Sequence, residues 1–360
     1  MQSNRISGQI FSDTITDSDL TVTNENPTIT NRNEFRNSRV LIIGLGQLGL
    51  PVAKYVKEKG FDTYGYDIEQ KAIERAEKVA SIKRADSFND FDVYIICVST
   101  HKSDDIFAPQ IDGLLYIIEE ISRKAKNGAL VSIESTIPRG TSKKVFEMLN
   151  HRLHVVHAPH RWYALEEMEH GVNQLRVIGG VHDCCLRAAL QFYTGDVCNS
   201  SYNNNADADV SVGNISQRKS IRSGSDDSNS SNNSNENGNL GIPLHPVSDI
   251  EIVEITKIAE NAHRYLQIAF AEELYLYCKT NNLSFPQLRE AINTKWNVNI
   301  LEPRDGIGGH CLPKDTRMFL QSSKSIKSKI LTAALEVDQD YRRQRQSRVE
   351  LEVLCKDIAK

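Results

Sequence analysis

Residues 39–69 read RVLIIGLGQLGLPVAKYVKEKGFDTYGYDIE, and this stretch decides the fold. An apolar run at 40–43 ends in Gly44-x-Gly46-x-x-Gly49, and an amphipathic helical pattern follows over 51–59. A glycine-rich turn between a buried strand and a helix is the setting that a dinucleotide pyrophosphate needs. Gly44 permits the tight turn, Gly46 lets phosphate approach the backbone, and Gly49 lets helix and strand pack together. The helix start around Gln47 and Leu48 supplies free N–H groups and partial positive charge. Asp67 ends the next strand, where a carboxylate binds both ribose hydroxyls of NAD and repels the 2′-phosphate of NADP. NAD is therefore the expected cofactor.

Beyond this stretch, apolar runs at 93–98, 130–133, 155–156 and 177–178 read as buried parallel strands. Amphipathic segments such as 111–124 lie between them, so residues 37–195 predict a doubly wound α/β sheet of the Rossmann type. Residues 244–335 show no clear strand. Ile252, Ile255, Ala259, Ala262, Leu266, Ala269, Phe270 and Leu274 recur at spacings of three and four, which predicts a helix of about seven turns. A helical central domain is therefore expected after the sheet, with a further helix over 336–360. Residues 1–36 are polar and aperiodic and predict a disordered tail. Residues 196–243 predict a disordered insertion: from Asn199 to Asn239, Ser and Asn supply 22 of 41 residues, too little apolar material to offset chain entropy.

The whole chain has 360 residues, a prior of about two domains. It carries 43 basic and 47 acidic side chains, a net charge of −4, which argues against a general nucleic-acid binder. Mean hydropathy is −0.42. No apolar run approaches a membrane span, and the N-terminus lacks the apolar core of a secretory signal. Seven scattered cysteines without CxxC spacing predict reduced thiols and a cytoplasmic location. His151, His154, His157 and His160 recur every third residue, but on an extended strand that spacing alternates faces, so no metal site is expected.

Residues 305–319, DGIGGHCLPKDTRMF, hold Cys311 in a glycine-rich loop beside His310, Lys314 and Asp315. Glycines let backbone wrap a substrate, and neighbouring cations are expected to lower the thiol pKa. A thiolate near a nicotinamide suggests covalent chemistry on an aldehyde. Lys257, Asn261 and Arg264 stand at i, i+4 and i+7, on one face of the long helix.

Five segments occur in a familiar order: GLGQLGLPVA (44–53), DVYIICVST (92–100), ESTIPRGT (134–141), EITKIAENAHRYLQIAFAEEL (254–274) and GGHCLPKD (308–315). In these the chain resembles the UDP-glucose/GDP-mannose dehydrogenase family, over about residues 38–335. The resemblance implies oxidation of C6 of a nucleotide sugar to a carboxylate with two NAD, for surface polysaccharide precursors. It implies Cys311 as the nucleophile, forming a thiohemiacetal and then a thioester. Lys257 and Asn261 would stabilise oxyanions, Asp315 would handle the proton or water, and Thr136 would lie near the water and the nicotinamide. Val98, Ser99, Thr100 and Ser135 would line the cofactor. Arg264, Gly308 and His310 would contact substrate with Lys257 and Asn261. Arg264 and His310 lean to the UDP-N-acetylmannosamine and UDP-N-acetylglucosamine branch, whereas LPKD resembles the glucose and mannose branches. A homodimer built on the central helix is implied.

Two departures stand out. His160 occupies the place of a family glutamate, and an imidazole with an ordinary pKa could replace it as the base that activates water. The chain also ends at Lys360, where family members continue into a nucleotide-gripping domain. Two other functions fit these departures: a shortened relative oxidising another alcohol, and a non-catalytic NAD-binding subunit that needs a separate nucleotide-binding chain.

Overall fold

The computed structural model of the chain describes residues 35, 37–102, 104–105, 107–161, 171–195, 238–322 and 328–358, with side chains through 347. Most of the expected tail and of the Ser/Asn-rich insertion lies outside the described residues, as does Cys198. Where those expectations can be compared, two boundaries move. Phe35 belongs to the sheet core, 9% exposed, with its ring edge-on to Phe192 at 5.4 Å. Leu240 and Ile242, inside the expected insertion, are each 1% exposed, and their amides donate to Phe192 O and Tyr193 O, both at 3.0 Å. A few apolar residues at the edge of a polar run suffice to pin it to a core, and composition averaged over the run hides them.

Eight strands form one sheet in the order β3-β2-β1-β4-β5-β6-β7-β8. They are β1 (Arg39–Ile43), β2 (Asp62–Tyr66), β3 (Lys83–Arg84), β4 (Val93–Ile96), β5 (Leu130–Ile133), β6 (His154–His157), β7 (Arg176–Gly180) and β8 (Leu244–Pro246). Strands β1 to β6 run parallel. Four of the five residues of β1 and all of β4 and β5 are buried, as expected of central strands covered by helices on both faces. Helices α1 (Gly49–Glu58), α2 (Gln70–Ala80), α3 (Asp112–Lys124), α4 (Thr141–Met148) and α5 (Asp183–Thr194) accompany the sheet. The strand order reverses between β1 and β4, which opens a crevice at the carboxyl ends of those strands.

The sheet differs from expectation in two places. The run at 177–178 lies in β7, which pairs antiparallel with β6 and not parallel. A strand buried on both faces shows the same apolar run in either direction, so periodicity carries no direction. The region after residue 244 also contributes a strand: β8 pairs parallel with β7, but its three residues are too few to form a pattern.

The rest is helical: α6 (Ile250–Thr280), α7 (Phe285–Asn293), α8 (Cys311–Ser322) and α9 (Lys329–Ile358). Helix α6 has 31 residues, about 46 Å at 1.5 Å per residue. Asp249 caps it, accepting from the Glu251 amide at 3.0 Å. Its buried positions depart from the single stripe predicted: Val253, Ile258 and Tyr265 are within 1% of full burial, whereas Ile252 and Phe270 are about half exposed, at 50% and 51%. The cause is a change of partner along the helix: Ile250 and Val253 pack on Gly179 of β7, Asn261 and Tyr265 meet α8 and α9, and Ala271 and Cys278 cluster with Phe285 of α7. Each fully buried aliphatic side chain contributes about 1.5–3 kcal/mol, so the packed sides outweigh the simple periodic face. Glu254, fully buried, fixes the start of α6 to the sheet: its carboxylate accepts from the Gly140 amide at 2.5 Å and the Ser142 amide at 2.7 Å. Glu251 adds ion pairs to Arg139 at 2.5 Å and Lys143 at 2.6 Å.

Candidate active site

The turn after β1 has the geometry its glycines predicted. Gly44 has φ +90°, and a Cβ there would lie 2.6 Å from Cys97 O. At Gly49 a Cβ would lie 1.7 Å from Gly44 O, closer than any side chain can approach. At Gly46 a Cβ would meet nothing within 4 Å. The three glycines therefore divide into two that the fold requires and one that faces open space. Leu48, at the start of α1, makes no side-chain cap, so the helix N-terminus beside that space has no competing acceptor from it. Asp67 Oδ2 accepts from the Leu45 amide at 2.6 Å and Oδ1 from Glu69 at 2.9 Å, which holds the carboxylate against the loop. Arg75 donates to Leu45 O at 3.0 Å. Open space at Gly46, an uncapped helix start and a fixed acid at Asp67 fit a dinucleotide.

The loop leaving β4 carries Val98, Ser99 and Thr100, and the one leaving β5 carries Ser135 and Thr136. Ser135 Oγ donates to Val98 O at 2.7 Å and so ties the two loops together. Thr100, 4% exposed, accepts from Lys314 Nζ at 3.2 Å. This bond joins the crevice to α8. Lys314 is itself buried and forms an ion pair with Asp315 at 2.7 Å. The other oxygen of Asp315 accepts from Asn261 Nδ2 of α6 at 2.5 Å. A continuous polar chain thus runs from Thr100 through Lys314 and Asp315 to Asn261.

Cys311 stands at the head of this arrangement, as the first residue of α8 and not within a loop. The residue is exposed, and its partly buried sulfur lies 3.5 Å from His310 Nε2. The expected cationic activation of the thiol is not what the surroundings produce. Partial burial and the Asp315 carboxylate push the thiol up, and they outweigh Lys314 and Lys257, which act in the opposite sense. Lys314 is paired with Asp315, whose carboxylate acts on the thiol in the opposite sense. Burial, with His101 and Lys314, pushes His310 down and holds it neutral. The His101 ring lies edge-on to that of His310, with centroids 5.6 Å apart.

Lys257 also lowers His157 and His160 and so lies within electrostatic reach of the thiol and of both imidazoles. Arg264 is not brought to this group: it is exposed, and its guanidinium donates to Gln267 at 3.3 Å. Gly308 has open space around it, whereas Gly306 packs on Arg342, with φ +97°.

His160 departs from expectation. It is 5% exposed, and its Nε2 pairs with Glu134 Oε2. Burial, assisted by Arg176, pushes the imidazole down to about 4, so the ordinary pKa expected of a water-activating base does not apply. Glu134 is the centre of a buried network. It receives a bond from Tyr193 OH and the charge of Arg176, whose Nη1 lies 2.8 Å from Oε1. Burial opposes ionisation of Glu134, but Arg176 and His160 outweigh it and hold the carboxyl down at about 2. Glu134 lies within a quoted motif yet escaped sequence reasoning. Arg176 and Tyr193 carry no local signal at all, because their partner is distant in sequence.

The four regularly spaced histidines do not converge on one centre, although His157 and His160 both feel Glu134 and Lys257. His151 stacks on Phe146 at 4.6 Å, and His157 Nδ1 meets Ile133 O at 2.8 Å. Among the described residues, two groups place three possible metal-ligand atoms within 4.8 Å: His154 with Cys184 and Cys185, and Cys97 with Glu134 and His160. In the second group Glu134 is already matched by Arg176, His160 and Tyr193, which accounts for the cluster without an ion. No helix among the described residues is long and apolar enough to cross a membrane.

Comparison with known proteins agrees with this geometry. Residues 77–195 match the NAD binding domain, and residues 251–340 the central domain, of the UDP-glucose/GDP-mannose dehydrogenase family. The UDP-N-acetyl-D-mannosamine dehydrogenase of Methanococcus maripaludis strain S2 is 26% identical over 322 residues, 83% of this chain and 65% of the relative. The enzyme of the same name from Pyrococcus horikoshii is 28% identical over 316 residues, 79% of this chain and 65% of the relative. A solved structure of UDP-D-ManNAc dehydrogenase from Pyrococcus horikoshii superposes with a TM-score of 0.64 at 25% identity, covering 89% of this chain and 72% of that one. The chain therefore spans about 65% of the length of these curated relatives.

Proposed function

The chain belongs to the UDP-glucose/GDP-mannose dehydrogenase family, two of whose domains match more than half of it, and from this we infer an NAD-dependent oxidation of C6 of a nucleotide sugar to a uronic acid. The observation that carries the inference is the polar chain Thr100–Lys314–Asp315–Asn261, which ties the helix headed by Cys311 to the cofactor crevice. In this reading residues 37–195 form the NAD-binding domain and residues 244–335 the helical catalytic domain.

Gly44, Gly46, Gly49 and Asp67 hold NAD, with Gln47, Leu48, Val98, Ser99, Thr100, Ser135 and Thr136 along its path. NAD, when bound, supplies a hydride acceptor. Cys311 attacks the aldehyde carbon. Lys257 and the Asn261 amide stabilise the oxygen that becomes negative, because fixed donors in a partly desolvated site favour developing charge. Asp315, held by Lys314 and Asn261, orients these groups. His160, locked to Glu134, acts as a neutral positioning residue and not as the base. Gly308, with open space around it, and His310 line the sugar side. Arg264 reaches substrate only if it leaves Gln267.

The names of the two relatives support a UDP-N-acetylhexosamine as the substrate. A nucleotide uronate suits the synthesis of surface polysaccharides in the cytoplasm. The half-exposed apolar side chains Phe270 and Tyr277 on α6 support a homodimer through that helix.

The test is NADH formation from a panel of UDP- and GDP-sugars, with product mass measured. Two NADH per acid from a UDP-N-acetylhexosamine is the expected result. Cys311→Ser should abolish acid while leaving NAD affinity within about twofold, because the thiol serves the covalent step. Undiminished acid from that variant would exclude the thioester route. Turnover of non-nucleotide alcohols alone would select a different dehydrogenase, and acid formed only with an added nucleotide-binding chain would select a split enzyme.

A further inference from the structure

A thiol attacks well only as it loses its proton. At an ordinary pKa of about 8.5 a cysteine is only about 3% thiolate at pH 7. Cys311 is worse placed than that, because burial and Asp315 disfavour its anion. Among the charged groups near it, Asp315 opposes ionisation, while Lys314 and Lys257 favour it without prevailing. What the site does provide is a ring nitrogen that accepts in one of the two neutral imidazole tautomers. His310 Nε2 lies 3.5 Å from Sγ, within hydrogen-bond range for sulfur. Burial lowers His310 most, His101 and Lys314 act in the same sense and Asp315 against them, and the net effect is a neutral imidazole. A neutral imidazole that accepts at Nε2 carries its proton on Nδ1.

We propose that His310 is the general base for Cys311, taking the thiol proton at Nε2 as sulfur attacks and not forming a standing thiolate–imidazolium pair beforehand. The proposal rests on the reading of Cys311 as the nucleophile. In the attack, the S–H bond breaks and its proton moves to Nε2. A sulfur electron pair forms the bond to the aldehyde carbon, and the carbonyl pair moves to oxygen, where Lys257 and Asn261 stabilise it. Hydride loss from that carbon to NAD, the oxidant that the Gly44–Gly49 turn and Asp67 would hold, would leave a thioester. When water attacks the acyl carbon, its oxygen forms the new C–O bond and gives up a proton to solvent, the C–S bond breaks, and Nε2 returns its proton to sulfur, so base and nucleophile are both regenerated. His101 contributes by position: its ring lies edge-on to His310, and it adds to the lowering of His310 that burial begins.

The test needs no sugar nucleotide. Iodoacetamide alkylation of the full chain is followed by intact-protein mass spectrometry from pH 5 to 10, with Cys311→Ser identifying the modified site. In the wild-type protein, Cys311 alkylation should rise below pH 6.5, as His310 becomes neutral, and hold a plateau through pH 8. His310→Gln, which keeps size but cannot take a proton, should lose the plateau, fall at least tenfold at pH 7 and rise only above about pH 8.5. An unchanged rate at pH 7 in His310→Gln would overturn the proposal. So would a wild-type profile without the plateau, a result that depends on no variant folding. If the plateau depends on His310 while no nucleotide sugar yields acid, the proton transfer stands and only the substrate assignment fails.

Discussion

Arg176→Met should destabilise the protein by about 3–5 kcal/mol, the cost of removing one partner from a buried ion pair. Arg176 is 1% exposed, and the Glu134 carboxylate opposite it is equally buried. Met keeps most of the apolar volume, so the loss is electrostatic and not a cavity. The variant also forfeits the bond from Nη2 to Val172 O at 2.9 Å, about 1 kcal/mol. An independent measure comes from Glu134 itself. Its carboxyl is held at about 2 against an ordinary 4.5, a shift that corresponds to about 3 kcal/mol in favour of the ionised form. Burial alone would push the other way, so Arg176 and His160 must supply more than the net effect. Urea unfolding at pH 7 reads the change directly, and the melting temperature should fall by roughly 6–20 °C. The decisive comparison is with Arg176→Met/Glu134→Gln. Removing both charges leaves no uncompensated carboxylate, so the double variant should recover at least 1 kcal/mol relative to the sum of the singles. A single-variant loss under 1 kcal/mol, or strict additivity, would refute the reasoning.

Three further outcomes follow from the same geometry. Gly46→Ala should leave the melting temperature nearly unchanged but weaken NAD binding at least tenfold by calorimetry, since its Cβ meets no protein atom and would occupy the cofactor's space; Gly49→Ala, with a Cβ 1.7 Å from Gly44 O, should instead unfold the turn, and equal effects of the two variants would contradict the division. NAD should bind more tightly than NADP, and Asp67→Asn should narrow that gap; equal or tighter NADP binding by the wild-type protein would rule out the ribose role of Asp67. Stability should fall on acidification from pH 6.5 to 4. Burial, with Lys257 or Arg176, holds His157 and His160 at about 4, below their unfolded value of 6.5, so the unfolded chain takes up protons first. Each imidazole should cost about 2–3 kcal/mol by pH 4.5, and the depressed Glu134 carboxyl adds a further loss as pH falls from 4.5 to 2. Urea midpoints that stay flat from pH 7.5 to 4.5 would count against this.

The residues that speak for themselves in the sequence act through their immediate neighbours. Gly44, Gly46 and Gly49 are legible because a strand, a turn and a helix start lie within a dozen positions, and backbone geometry there depends on the local residue type. The parallel strands at 40–43 and 130–133 are legible because burial on both faces leaves a continuous apolar run. Cys311, Asn261 and Asp315 were legible as candidates through motif and helix spacing, and the Asn261–Asp315 bond brings the last two together.

Tertiary structure alone decided the rest. The antiparallel course of β7 and the three-residue β8 follow from pairing, which an apolar run does not encode. Ile252 and Phe270 look like core in a periodic pattern but end half exposed, because α6 changes partner along its length. The protonation behaviour of the site was likewise beyond the sequence. Lys314 sits three residues after Cys311 and looks like an activating cation, but its charge is spent on Asp315 and its hydrogen bond on Thr100, 214 positions away. His160 looks like a free base, but Glu134, Arg176 and Tyr193 converge on it or its partner from the residue after β5, from β7 and from α5. Type and spacing set what a side chain can do. Its charge state depends on solvent exclusion and on groups brought near by the fold, and these are properties of distance in space.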